Sequence, residues 1–517
     1  MTEILDKSPR VRFAAGALVS ILLSVLILVW SASQERIHTQ SSESFLAQAE
    51  VTAVSGRFPS QQRSLSPLGA VLVGKAMAIF NLSAFKAVQI VNFCFWILLA
   101  LLLYLAVSQV VRIPFAGAIG PLLLLLPPVL QLVLEAGPGG IVMFFLLAPA
   151  LVVMAMDGAC RNWLYWTLLV ILGGLAGLSV FVHHLGVWTA IGTILTWIFR
   201  DLKRARGGVL TLPPLGLEIA LVLLVTMLSA VATKGLLGLD KKELLANLFG
   251  VFREFHPPFM VNGRDYREVV DGGPPMWVTI WLILVRTPIA ILVGAGAGTW
   301  MLYKDGRSLR RIAPLAVSVF VLLFASMLSG TPYYAGSPSL IAPILILPAI
   351  LAVIAVDSFV SRMGQVGLTG KIVCGLTLIV AVGHLLFIDA RHLPFPASYA
   401  NVLGGGTGAF LERGNDLFTE PTLNESAALE LLETKRSVVV APWGMETRSL
   451  VARFAKEAGV HPPVVRNGGR FPTLVFYRPQ SPFSQAAFQA CISGSQRAIL
   501  SVDGYPLWCL MDGQGKL

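Results

Sequence analysis

Charge is scarce in this chain. Only 13% of its 517 residues are Asp, Glu, Lys or Arg, against roughly 25% in soluble domains, so a polypeptide solvated on every side is excluded. The usual catalytic signatures are also missing. There is no Walker loop, no His-Glu-x-x-His, no Cys-x-x-Cys pair and no Gly-x-Ser-x-Gly followed by a triad. P-loop nucleotide chemistry, zincin hydrolysis and α/β-hydrolase chemistry therefore have no foothold. Five cysteines are too few for a disulfide scaffold. No internal repeat and no low-complexity segment occurs. Nowhere do basic residues alternate with aromatics, so the net charge of +11 does not point to nucleic acid.

What the chain has is apolar length: 55% of its residues are hydrophobic and its mean hydropathy is +0.74. Its bases sit beside the apolar runs, in six groups at 7–12, Arg112, Arg161, 200–206, 304–311 and 362–371. Placing all six groups in the cytoplasm connects them by about eleven spans of ~20 residues each. The expected spans cover 13–31, 87–110, 113–132, 139–156, 163–181, 185–199, 213–233, 275–303, 312–329, 339–357 and 371–388. The first follows Lys7, Arg10 and Arg12 without a clear small-residue cleavage site, so it reads as an uncleaved span. Pro67–Phe80, interrupted by Lys75, reads as a helix lying on the outer surface, because counting it as a span would invert every later loop. The expected fold class is an α-helical polytopic membrane protein with a small C-terminal α/β domain outside the membrane. Its transmembrane domain covers 1–388, with outer loops at 31–66 and 236–274, and the outer domain covers 389–517.

That last part predicts strands at 437–441, 473–477 and 498–502, with helices at 447–458 and 485–491. Gly404-Gly405-Gly406 has no strand before it and reads as a flexible loop. Cys94, Cys160 and Cys374 lie in or beside spans. Cys491 and Cys509 share the outer domain, where an oxidising compartment would permit a disulfide.

Polar chemistry gathers on the outer face. Glu35, His38, Glu43 and Glu50 lie in the first outer loop and Glu135 in the second. His183 and His184 form the third, and His256, Arg264, Asp265 and Arg267 belong to the fourth. Tyr333 and Tyr334 join the ninth and tenth spans. A carboxylate at the membrane edge can act as a general base toward a hydroxyl or amine, and burial raises its pKa toward a useful range. Cations nearby suit an anionic lipid head group. Plainer roles exist for each: Glu35 as a solvated interface residue, Glu43 and Glu50 as one wet helix face, Glu135 as a turn residue, His183 and His184 as interfacial packing, His256-Pro257-Pro258 as a rigid turn. Arg286, before Thr287-Pro288 in an apolar run, is functional or paired by default.

Several segments in series carry a resemblance. They are Ser42-Glu43-Ser44-Phe45-Leu46, Gly56-Arg57-Phe58, Ser66-Pro67-Leu68, the stretch Gly177 to His183, and His256-Pro257-Pro258. Pro274-Pro275-Met276-Trp277, Arg286-Thr287-Pro288, Ser339 to Pro343, and Tyr399-Ala400-Asn401 with Gly404-Gly405 complete the series. Their order over about residues 10–430 resembles the GT-C superfamily of membrane glycosyltransferases. The nearest pattern is the protein-mannosyltransferase and aminoarabinose-transferase type, glycosyltransferase families 39 and 83. The resemblance implies transfer of a sugar from a polyprenyl-phosphate donor to a lipid, glycan or protein acceptor. It implies a first-loop acid that deprotonates the acceptor and basic groups that hold the donor phosphate. It also leaves a divalent metal open, although no ligand cluster stands out. Three positions depart from the pattern: Ser42 replaces the leading Asp, His183 replaces a Lys, and Ser339 replaces an Arg.

The reading is a divergent, inverting, lipid-linked-sugar transferase in a bacterial inner membrane, with the N-terminus cytoplasmic and the C-terminal domain periplasmic. Glu43 is the expected base, with Glu35 and Glu135 behind it. His183, His184, His256, Arg264, Tyr333 and Tyr334 are the expected donor and substrate contacts. The alternative is a catalytically silent GT-C-fold protein that binds lipid-linked glycan or scaffolds an envelope complex. A transporter comes third, because polar groups collect at the outer edge and not at the midplane.

Overall fold

The computed structural model describes residues 9–34, 37–56, 66–156, 163–183, 185–206, 212–237, 259–261, 264–266, 276–304, 306–328, 338–363, 368–393, 395–413, 422–424, 439–441, 473–476, 482–495, 497–502 and 505–511. Every stretch expected to span forms helix. The first is α1 (Pro9–Ala32). After a short strand, β1 (Ile37–Thr39), come the hairpin helices α2 (Gln40–Ser55) and α3 (Pro67–Phe80), then α4 (Ala84–Val107). The series continues with α5 (Ile113–Leu124), α6 (Pro127–Leu134), α7 (Gly139–Met156), α8 (Trp163–Ser179), α9 (Gly186–Arg206) and α10 (Leu212–Leu237). A small hairpin, β2 (Phe259–Val261) and β3 (Arg264–Tyr266), precedes α11 (Met276–Arg286), α12 (Ile289–Lys304), α13 (Gly306–Leu328), α14 (Pro338–Met363) and α15 (Leu368–His392).

Five of the described helices are long and apolar enough to cross a membrane alone, and seven spans result when each bent pair is counted as one. With the long outward-facing apolar surfaces of α1 and α10, this makes the chain an integral membrane protein. Two expected spans are not straight. The stretch 113–132 is α5 and α6, bent by 62°, and 275–303 is α11 and α12, bent by 111°. Proline is the cause in both, at Pro127-Pro128 and at Pro288, where the ring removes a backbone donor and clashes with the preceding turn.

Helix α7 is the centre of the bundle. Nearly its whole length is buried, against α4, α8, α9 and α13. Lipid gives helices no hydrophobic reason to associate, so close backbone approach through small residues takes over. Gly173 and Gly177 place α8 on α10, where an added Cβ at Gly173 would come within 2.8 Å of the Val222 carbonyl. Gly294 and Gly298 do the same for α12 on α14, and a Cβ at Gly294 would come within 2.8 Å of the Ala352 methyl. At the end assigned to the cytoplasm, Arg112 Nε meets Asp357 Oδ1 at 2.7 Å and joins α5 to α14.

Beyond α15, two 3-10 turns at Pro396–Ser398 and Val402–Gly404 and the short helix α16 (Gly406–Glu412) are packed, not loose. The first turn packs on α6 and the second on α11. The triple glycine is thus an ordered corner: Gly405 and Gly406 have φ of +82° and +80°, a conformation open to glycine without strain. Strand β4 (Thr422–Asn424) returns to pair antiparallel with β1. The remaining tail holds a four-stranded mixed sheet of β5 (Val439–Ala441), β6 (Thr473–Phe476), β7 (Arg497–Val502) and β8 (Tyr505–Met511). Their order is β5-β6-β8-β7, with helix α17 (Pro482–Ile492) packed on the sheet. Cys491 on α17 and Cys509 on β8 form a disulfide, with Cα atoms 6.3 Å apart. The expected helix at 447–458 and Cys160 lie outside the described residues.

Candidate functional site

The chain leaves α1 and enters β1, whose last residue, Thr39, is the N-cap of α2. Its hydroxyl accepts the Ser42 N–H at 3.1 Å, and the Ser42 hydroxyl accepts the Thr39 N–H at 2.8 Å. This is a capping box with serine in the place usually held by Glu or Gln. A hydroxyl keeps one proton to donate, and Thr39 gives it to Glu135 Oε1 at 2.9 Å. The backbone repeats the link: Ile37 and Glu135 form a parallel bridge, and Ala136 N–H donates to the Ile37 carbonyl at 3.0 Å. The segment after α1 and the turn after α6, 96 residues apart at Thr39 and Glu135, are therefore one structure.

The turn after Glu135 is held from below. Asn92 on α4 donates its amide to the Gly137 carbonyl at 2.7 Å and accepts the Gly140 N–H at 3.1 Å. The fit is close: a Cβ on Gly137 would stand 3.3 Å from Glu135 Oε1 and 3.6 Å from Ser42 Cβ. Glu135 is half-buried. Glu43, in the first turn of α2, is buried at 9% exposure, where the helix N-terminus favours negative charge. Glu50, seven residues on, is half-buried.

His183 lies between α8 and α9 and is 6% exposed. The preceding turn reaches the α2–α3 hairpin, since Leu68 N–H donates to the Phe181 carbonyl at 3.0 Å. Burial lowers the His183 pKa to about 4. Its Nδ1 accepts the Leu185 N–H at 3.2 Å, which assigns the remaining proton to Nε2. At neutral pH this imidazole offers a hydrogen-bond donor and no positive charge.

Arg286 ends α11 at the bend and is 2% exposed. Its Nη1 donates to the Tyr399 carbonyl at 3.4 Å, and its guanidinium lies 5.0 Å from the centre of the Phe410 ring. Asn401 closes the bend by donating to the Leu284 and Thr287 carbonyls, each at 2.7 Å. Those carbonyls lose their helical donors at the break, so the side chain replaces what Pro288 removes.

The other expected site residues are placed less fully. Arg264 pairs with Val261 in the β2–β3 hairpin. Glu35, His184, His256, Tyr333 and Tyr334 lie outside the described residues. Among the described residues no group of three His, Cys, Asp or Glu is arranged to hold a metal. Thr39 and Asn92 went unread in the sequence. The contact that brings each into this site is made with a partner more than 40 residues away.

No protein-family model matches the chain, and no characterised protein matches it by sequence. Solved structures do. The archaeal oligosaccharyltransferase AglB of Archaeoglobus fulgidus, determined with an inhibitory peptide and a dolichol-phosphate, aligns at a TM-score of 0.50 with 13% identity. The alignment covers 88% of this chain and 64% of that one. The chain has the GT-C fold. It spans about two thirds of the archaeal enzyme's length, and what the two share is architecture. A second structure of the Archaeoglobus fulgidus oligosaccharyltransferase, in complex with zinc and sulfate, aligns at 0.46 with 13% identity over 88% of this chain and 62% of that one.

Proposed function

We propose that this GT-C-fold protein is a glycosyltransferase that moves a sugar from a polyprenyl-phosphate donor to an acceptor on the outer face of a bacterial inner membrane. Its nearest kin would be the protein-mannosyltransferase and aminoarabinose-transferase type. The observation that carries the reading is the junction of Thr39 with Glu135, which fixes two acid-bearing outer loops against each other on a fold used by lipid-linked-sugar transferases. In this reading Glu43 takes the proton of the acceptor hydroxyl as its oxygen attacks the anomeric carbon. The bond from that carbon to the phosphate oxygen breaks, and polyprenyl phosphate leaves with the electron pair. Glu135, oriented by Thr39, supports the developing charge of the sugar ring, and His183 donates from Nε2 to a donor oxygen. No step is assigned to a metal.

In a strain lacking the gene, mass spectrometry of the lipids is expected to find the polyprenyl-phosphate sugar accumulated. The wild-type gene clears it, and Glu43→Gln, at equal protein level, does not. Clearance by Glu43→Gln would remove that carboxylate from the mechanism. A strain whose lipid-linked sugars and glycans are unchanged by deletion would sink the transferase reading altogether. The silent, glycan-binding alternative would then stand, and a neutral His183, where the pattern the chain resembles has a lysine, favours it.

A further inference from the structure

Three lysines stand unpaired where α3, α4 and α10 meet. Lys75 lies on α3, Lys86 in the first turn of α4 and Lys234 in the last turn of α10. Helix α3 packs against both of the others. Among the described residues none of the three makes a hydrogen bond or an ion pair, and Glu50 on the adjoining α2 is joined to none of them. Lys75 and Lys86 are exposed and Lys234 is half-buried. These bases lie at the end of α4 opposite to the one that leads into Arg112. Bases usually gather at one end of a membrane bundle, so free ones at the other end need a counter-charge.

The surroundings of these lysines are apolar. Helix α3 is buried from Pro67 to Gly74, where a Cβ on Gly74 would come within 2.7 Å of the Ala49 carbonyl of α2. From Lys75 onward it emerges. Ile79 is 73% exposed and Phe80 is exposed with it, while Val54 in the last turn of α2 is 92% exposed. Apolar side chains so open on a membrane protein are covered by lipid. On α4 the exposed residues Lys86, Ile90, Cys94 and Leu98 follow at four-residue steps, which places them along one stripe of the helix. The 24 residues of α4 give a length of about 36 Å against a hydrocarbon core of ~30 Å. Lys86, near one end, therefore falls at headgroup level above an acyl-facing stripe.

We propose that the emerging end of α3 and the head of α4, with Lys234 beside them, seat a phospholipid of negative headgroup charge. Its acyl chain lies along Ile90, Cys94 and Leu98, and Ile79 and Phe80 enter the headgroup boundary. The ammonium groups hold the phosphate, a task that suits lysine as a point charge on a flexible stem. The proposal rests on the membrane reading and not on transfer.

The test is native mass spectrometry of the full-length protein in detergent carrying equimolar phosphatidylglycerol and phosphatidylcholine. The wild type is expected to retain phosphatidylglycerol with a preference of at least about tenfold. Lys75→Gln, Lys86→Gln and Lys234→Gln should each cut that preference about fivefold, with unchanged melting temperatures, and Lys86→Arg should keep it. Arg362→Gln, at an exposed base beyond Asp357, should leave it unchanged. Undecaprenyl phosphate added at the same concentration is expected to leave the bound phosphatidylglycerol in place.

Equal retention of the two phospholipids, or indifference to all three lysine substitutions, would overturn the proposal. So would a loss in Arg362→Gln as large as in the lysine variants, which would mean diffuse charge and no seat. Displacement by undecaprenyl phosphate would make this the place of the sugar donor and overturn it as well. Glu43→Gln is expected to retain phosphatidylglycerol like the wild type, so a failed lipid assay leaves the transfer reading intact, and a failed transfer assay leaves this seat intact.

Discussion

Thr39→Val is the sharpest perturbation the structure offers. The side chain keeps its shape and loses one oxygen, and that oxygen serves two neighbours at once. It caps α2 by accepting the Ser42 N–H, and it donates to Glu135. Loss of an N-cap costs ~1 kcal/mol and loss of a hydrogen bond to a carboxylate ~1.5–3 kcal/mol, so the expected cost is about 2–4 kcal/mol. Because Thr39 is buried, water does not replace the lost partner. The assay is a double-mutant cycle on the full-length protein, with Thr39→Val, Glu135→Ala and the double variant followed by thermal unfolding in detergent. A coupling of about 1–2 kcal/mol is expected, and Thr39→Ser should restore the wild-type value. Additivity within ~0.5 kcal/mol would refute the idea that the two loops act as one unit. Transfer activity is expected to fall in Thr39→Val and return in Thr39→Ser.

Asn92→Ala leaves the Gly137 carbonyl and the Gly140 N–H buried and unanswered, at ~1–3 kcal/mol for each group. Hydrogen exchange over 135–140 should accelerate, and an unchanged rate there would remove Asn92 as the clamp. His183 gives a pH signature. Its folded pKa of about 4 lies below the ordinary 6.5, so the unfolded chain binds the extra proton between those values. The stability from its burial is full above about pH 6.5 and is lost as pH falls toward 4, on the order of 3 kcal/mol. His183→Gln should flatten that part of the stability curve, and a curve identical to the wild type would show that the ring titrates normally. For orientation, a cysteine replacing Ala428 should react with an impermeant thiol reagent on intact cells while one replacing Ala205 is spared. The reverse pattern would overturn the assigned sidedness.

Much of the fold was legible because a bilayer imposes a coarse rule. A run of ~20 apolar residues with bases at one end must be helical, and each such stretch of this chain is helix. The hairpin helix at 67–80 and the strands at 439–441, 473–476 and 497–502 were legible for the same local reason, a pattern contained in the segment. Strand β8 escaped because Pro506 near its start argues against a strand. It becomes one only beside β6 and β7, which supply its partners. The prolines at 127–128 and 288 were visible, but the angles they impose, 62° and 111°, depend on what packs into the break.

The sequence by itself determined that the chain lives in a membrane and which apolar stretches are helical. Those properties come from composition and short-range periodicity, which need no partner to be expressed. Tertiary structure alone decided that β1 meets Glu135 and β4, that His183 is neutral, and that α3 meets α10. Each of these depends on contacts between residues far apart in the chain, where three-residue strands and single side chains leave no periodic trace. Burial, which sets the charge of an imidazole, exists only once those contacts are made.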